Sequence, residues 1–211
     1  MSGRAGPGRR YPQDSQAGQA EDGQPADPES VARLICLRLL TAAPRTRAQL
    51  ADALRRRGVP DAAAAVVLGR FAEVGLIDDA MFATAWVESR HHGRGLGRRA
   101  LTAELSRRGV QRADVEAAVS RLSPQTEAAT ARALVDRKLP SLAGQPPAVR
   151  ARRLAGMLAR KGYPPGLAYR VVREALDEAG DDAAWPEGHD ADGAVDGDGA
   201  VDGDEPGLGI G

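Results

Sequence analysis

Three segments of this 211-residue chain share one spacing: Leu50-x3-Leu54-x3-Gly58-Val59, Leu101-x3-Leu105-x3-Gly109-Val110 and Leu154-x3-Leu158-x3-Gly162-Tyr163. Leucines four residues apart fall on one face of a helix. The pairs Arg56-Arg57, Arg107-Arg108 and Arg160-Lys161 stand just before the glycines. Cations in a last helical turn complement the helix dipole, and a glycine just beyond supplies the left-handed residue that ends the helix. Each segment therefore predicts a helix that buries a leucine stripe, stops at its glycine and folds the next apolar residue back onto itself.

A further helical run follows each glycine, over 61–74, 112–122 and 165–179, and another precedes each leucine pair, over 28–41, 80–90 and 125–139. Start signals agree: Asp27-Pro28 and Ser123-Pro124 place a cap before proline, Thr46-x-x-Gln49 has the form of a capping box, and Asp78 or Asp79 caps the run carrying Met81, Phe82 and Trp86. No run alternates at period two between turn residues. The expected fold is all-α: three tandem three-helix repeats, at 28–77, 78–123 and 124–180, forming an elongated, curved body with disordered termini at 1–27 and 181–211. Aromatics are only 3% of the chain, so the core must be Ala, Leu and Val. Each repeat is too small to bury much surface alone and should depend on its neighbours.

The net charge of zero hides an asymmetry. Residues 28–180 carry 26 basic against 15 acidic side chains, a net of +11, whereas 181–211 carry ten acidic and no basic ones. A basic body attracts phosphate backbones or acidic protein faces. The acidic tail either competes for the same patch or adds solubility. The lone Cys36 excludes an internal disulfide and fits a reducing compartment. No apolar leader and no run near 18 apolar residues is present, so the sequence points to a cytoplasmic protein with no membrane partner.

No constellation suits catalysis or a metal. Adjacent His91 and His92 cannot face one ligand and read as surface histidines near a helix end. Gly93-Arg94-Gly95-Leu96-Gly97-Arg98 has glycines like a phosphate cradle, but it follows a helix and lacks the Gly-Lys-Ser/Thr ending. It reads as a tight turn that leaves Arg94, Arg98 and Arg99 reaching outward. Asp78-Asp79 has no partner base or nucleophile, and Phe82 and Trp86 on one helical face read as core. The expectation is no enzyme, no cofactor and no metal. Basic clusters recur at matching places in the repeats, including Arg55–Arg57, Arg90–Arg99, Arg107-Arg108, Arg150–Arg153 and Arg160-Lys161. Arginine pairs equally well with phosphate and carboxylate, so charge alone does not choose between nucleic acid and protein.

The segment G-L-I-D-D-A-M-F-A-x-x-W-V-x-x-R followed by G-R-G-L-G-R-R-x-L-x-x-E-L-x-x-R-G-V closely resembles the RecX family of bacterial RecA regulators. The resemblance runs from about Pro28 to Gly180 and is sharpest in the middle repeat. The third repeat carries an insertion-like stretch at 140–147, and the acidic tail falls outside the family's pattern. The motif positions are Asp78, Asp79, Phe82, Arg90, Gly95, Leu101, Glu104, Leu105, Arg108 and Gly109. The resemblance implies a non-catalytic monomer that lodges along the RecA recombinase filament on single- or double-stranded DNA and restrains strand exchange and the coupled ATPase. Charge and expected exposure put the contacts at Arg90, Arg94, Arg98, Arg99, Arg107 and Arg108, with Arg56 and Arg57 in the first repeat. The alternative is a helix-turn-helix transcriptional regulator reading duplex DNA through the run 41–59; a helical scaffold with solvated charge is the third possibility.

Overall fold

A computed structural model describes residues 27–180; of the two segments expected to be disordered, 1–27 and 181–211, all but Asp27 lies outside the described residues. Nine α-helices are seen among them: α1 (Pro28–Ala42), α2 (Arg47–Arg55), α3 (Asp61–Glu73), α4 (Asp79–Arg94), α5 (Arg98–Arg107), α6 (Arg112–Ser120), α7 (Pro124–Lys138), α8 (Pro147–Arg160) and α9 (Pro165–Glu178). No strand occurs among the described residues. The helix starts follow their signals. Asp27 accepts the Ser30 amide at 3.1 Å, Asp78 the Met81 amide at 2.8 Å and Ser123 the Thr126 amide at 3.0 Å. Thr46 and Gln49 close a reciprocal capping box, amide to side chain each way, at 3.1 and 3.2 Å.

The three glycine turns are built alike. Gly58, Gly109 and Gly162 have φ of 73°, 76° and 83°. In each, the amide of the next residue reaches back five positions: Val59 to Leu54 O, Val110 to Leu105 O, and Tyr163 to Leu158 O. Such a 6→1 bond satisfies a helix-end carbonyl that would otherwise be orphaned. The bond also folds Val59, Val110 and Tyr163 inward, where all three are buried.

The chain divides into two compact units. The first comprises the described residues up to Pro44 together with Leu50–Leu76. Here α1 packs on α3, with Ala32 and Cys36 buried from α1 and Ala64, Val67, Leu68 and Phe71 from α3. Burial pushes the Cys36 thiol above its usual pKa.

The second unit comprises Arg45–Gln49 and the described residues from Ile77 on. It holds both later repeats. In one, α4 and α5 pack on α6 around Ala83, Val87, Leu101, Leu105, Val115 and Val119. In the other, α7 and α8 pack on α9 around Leu134, Val135, Leu154, Leu158, Val172 and Leu176. The residues ten past each glycine, Leu68, Val119 and Val172, are all buried. The insertion at 140–147 is not simply a loop. It begins in a 3₁₀ turn, Leu139–Leu142, whose Leu142 seals the last core.

Two helix starts inside the second unit are occupied in parallel ways. At the start of α2, the Thr46 hydroxyl donates to Arg108 O at 2.7 Å and the Arg47 amide donates to Asp79 Oδ1 at 2.9 Å. At the start of α5, the Gly97 amide donates to Lys161 O at 2.8 Å and the Arg99 amide to Gly162 O at 3.1 Å. The Arg98 amide donates to Glu127 Oε1 at 2.9 Å. In both places a carboxylate from the first helix of the following repeat, and the glycine turn from its second helix, meet the N–H groups and positive pole of a helix start. The approach is close. A Cβ added to Gly109 would stand 2.3 Å from Ala48 Cβ, and one on Gly162 would stand 2.2 Å from Ala100 N.

Candidate recognition surface

The motif residues of the middle repeat converge on Trp86. Phe82 stacks against its ring with centroids 5.6 Å apart, one helical turn away on α4, and both rest on the core as expected. The indole N–H donates to Glu104 Oε2 at 2.8 Å. Two guanidinium groups lie over the ring, Arg108 at 3.7 Å and Arg90 at 4.1 Å from its centroid. Arg90 also lies 3.8 Å from Glu104 Oε2. Burial, then the neighbouring Arg90, pull Arg108 below the usual arginine range, although it keeps its charge at any physiological pH. Cation–π contacts of this kind are each worth about 0.5–2 kcal/mol. The cluster fixes α5 against α4, and it leaves Trp86 no open face of the sort a base would need for stacking.

The eight arginines marked from the sequence thus separate. Arg90 and Arg108 are half-buried on Trp86. Arg98 corrects the sequence expectation: it does not reach outward. Its Nε donates to Glu127 Oε2 at 2.9 Å and its Nη2 to Leu122 O. Glu127 is itself buried, with 4% of its side chain exposed, and a buried carboxylate requires such a partner. Arg94, Arg99 and Arg107 are exposed in the second unit, and Arg56 and Arg57 in the first. Arg57 spends one donor on Ala53 O at 3.1 Å.

On α5, Arg99 and Arg107 lie eight residues apart on the face opposite Leu101 and Leu105, about 12 Å along the axis at 1.5 Å per residue. The equivalent positions on α8, two before Leu154 and two after Leu158, are Arg152 and Arg160. Both are exposed. The sequence clusters contained this second pair, but only burial separates it from Arg150, which is buried. The same outward spacing of positive charge therefore occurs on two successive repeats.

The histidines need a second correction. His91 is not at the surface; it is 1% exposed. Its Nδ1 lies 2.9 Å from Leu96 O, which can only accept, so Nδ1 carries the proton. Nε2 lies 2.8 Å from the Thr130 hydroxyl of α7, within hydrogen-bond distance. His91 ties the turn after α4 to the third repeat, while His92 is exposed and bonds Glu88 O at 2.8 Å. Among the described residues no three His, Cys, Asp or Glu side chains stand together as metal ligands would. Asp79 and Glu127, which cap helices from other repeats, and Tyr163, whose hydroxyl donates to Gly95 O at 3.0 Å, gave no local sign of these partners.

Comparison with known proteins follows the same division into repeats. Models of the first, second and third three-helix domains of RecX match residues 32–71, 78–119 and 125–172. The chain is 60% identical over 176 residues to a protein of Thermobifida fusca named regulatory protein RecX, covering 81% of this chain and 95% of that one. It is 61% identical over 165 residues to its Streptomyces lividans namesake, covering 78% and 88%. The crystal structure of RecX from Lactobacillus salivarius matches with a TM-score of 0.68 at 19% identity, covering 72% of this chain and 99% of that one, a likeness of fold.

Proposed function

The chain belongs to the RecX family of regulatory proteins, and from that premise we propose that it binds the RecA recombinase on DNA and restrains strand exchange and the ATPase coupled to it. It acts as a cytoplasmic monomer, without catalysis, cofactor or metal of its own. No helix among the described residues is long and apolar enough to cross a membrane.

The observation that carries the proposal is the repeated outward pair, Arg99 and Arg107 on α5 and Arg152 and Arg160 on α8. Positive charge recurring at one spacing suits a partner that itself repeats, with acidic side chains and phosphates along it. Arg94 adds to this surface, and Arg56 and Arg57 supply charge from the first unit. Arg90, Arg98 and Arg108 act indirectly, by holding α5 in place against Trp86 and Glu127.

The helix-turn-helix alternative fares worse on geometry. A recognition helix reads bases with its N-terminal residues. The N-terminal turns of α2 and α5 are instead engaged by Arg108, Asp79, Lys161 and Glu127.

Fluorescence anisotropy with a labelled single-stranded oligonucleotide tests the proposal. The chain should bind the recombinase-coated strand at least about tenfold more tightly than the bare strand, a difference of about 1.4 kcal/mol. Equal affinity for both, or selective protection of a short duplex site, would replace the filament reading with direct DNA recognition.

A further inference from the structure

Three guanidinium groups gather beside Trp86, and among the described residues none of their N–H groups has a hydrogen-bond acceptor. Arg90 and Arg108 lie over the ring, 4.1 and 3.7 Å from its centroid. Arg45, at the entry to α2, is brought to them by the next residue, whose hydroxyl donates to Arg108 O at 2.7 Å. All three side chains are half-buried, and Arg45 Nε is wholly buried with no partner among the described residues. The carboxylate of the group, Glu104, already accepts the indole N–H and comes no closer to Arg90 than 3.8 Å. Burial first, then the charges of Arg90, Arg107 and Arg45, weigh against the charge on Arg108, with Glu104 alone in its favour.

The second unit fixes its other arginines differently. Arg98 meets Glu127 at 2.9 Å, Arg112 meets Glu116 at 2.6 Å and Arg132 meets Asp136 at 2.8 Å. A buried donor left without an acceptor costs stability. Three cations gathered without acceptors therefore point to acceptors that come from outside the fold. Stacking explains how the donors stay available. An indole engages the flat face of a guanidinium, whose N–H groups radiate in its own plane. Trp86 thus holds Arg90 and Arg108 in place with their donor edges unspent.

The ligand follows from charge and shape. Three guanidiniums against one carboxylate leave the group net positive, so it calls for an anion. A carboxylate has two oxygens in one plane and matches a single guanidinium fork. A phosphate presents its oxygens tetrahedrally and can be shared among guanidiniums from different elements, as these are, from the entry to α2, from α4 and from the end of α5. We propose that Arg45, Arg90 and Arg108 form a binding site for a phosphate group, beyond the part that Arg90 and Arg108 play in holding α5. Resting on the function proposed above, that group is a phosphodiester of the DNA strand; free phosphate shares the chemistry, and the test separates the two.

Trp86 reports on the site from within it. In the full-length chain with Trp185→Phe, it is the one tryptophan left. The probes are oligothymidylate, inorganic pyrophosphate and polyglutamate, each titrated at constant ionic strength. Oligothymidylate should change Trp86 emission saturably. Arg45→Gln should raise its apparent Kd at least about threefold and reduce the salt slope by about 0.7, the value for one single-strand phosphate contact. Arg112→Gln removes the same charge from a side chain that is 91% exposed in the same unit, and should do neither. A response to pyrophosphate as well shows that free phosphate enters; a response to the oligonucleotide alone assigns the site to the DNA backbone. An equal response to polyglutamate would make this a carboxylate site, open to the acidic tail or to a protein, and overturn the proposal. Silence of Trp86 towards both phosphate probes, or an equal effect of the two substitutions, would overturn it too. The titration contains no recombinase, so a failure of the site and a failure of the proposed function are read separately.

Discussion

Gly162 answers to two constraints at once, a φ of 83° and a neighbour at 2.2 Å, whereas Gly58 answers only to the first. Changing Gly58 to Ala should therefore cost only the left-handed penalty, about 1–2 kcal/mol. Gly162→Ala must also push α5 away from α8, and should cost about 1–3 kcal/mol more, as overpacking does. Equal melting temperatures for the two variants would show that the close joint is not structural. Tyr163 carries a different consequence. Burial, then the charge of Glu127, push its phenol above the usual value. The folded state thus holds this proton more tightly than the unfolded chain. That contribution is complete below the unfolded phenol pKa of about 10 and is lost as pH rises beyond it. Denaturation followed between pH 8 and 11.5 should show stability falling at the alkaline end, and Tyr163→Phe should flatten that fall while costing about 1–3 kcal/mol at neutral pH by leaving Gly95 O unpaired. Local chemistry made the caps readable in advance, because Thr46 and Gln49 are three residues apart and Asp78 and Met81 likewise. It could not reveal that Tyr163 meets Gly95, 68 residues away, or that His91 meets Thr130, 39 residues away.

At the level of elements, α5 shows how adjacent arginines come to do different work. Arg98 and Arg99 look equivalent in the sequence. In the helix their side chains point about 100° apart, at 3.6 residues per turn, so one turns into the joint with α7 and the other away from it. Arg98→Ala should leave Glu127 buried without its partner and cost about 2–4 kcal/mol, seen as a lowered urea midpoint. Arg99→Glu with Arg107→Glu should change stability by less than about 0.5 kcal/mol, as exposed substitutions do, and weaken filament binding at least about tenfold. If the Arg98 variant were as stable as the wild type, or the double variant bound normally, the division between structural and contacting arginines would be wrong. Helix number, order and limits were open to sequence reading because leucine spacing, prolines and glycines are local signals. The partition of the arginines was not, because it depends on Glu104, Trp86 and Glu127, brought in from other helices.

For the whole molecule, charge is the property that extends beyond any one helix. Residues 28–180 are net +11, and the 31 residues after them carry ten acidic side chains and no basic one. If that tail competes for the arginine surface, removing 181–211 should tighten filament binding and steepen its dependence on salt; unaltered affinity at two ionic strengths would leave it a solubility segment. The repeat pattern made the family visible before the fold was known, since the spacing of leucine and glycine and the middle-repeat motif both lie along the chain. The central claim is that this protein restrains the recombinase on DNA. Its most direct test is the ATPase rate of the recombinase on single-stranded DNA during titration with the full-length chain and with the Arg99→Glu, Arg107→Glu variant. The account predicts a progressive fall in rate with the wild type and a titration displaced at least about tenfold to higher concentration with the variant. A rate unaffected by the wild-type chain, or curves that coincide for the two proteins, would contradict it.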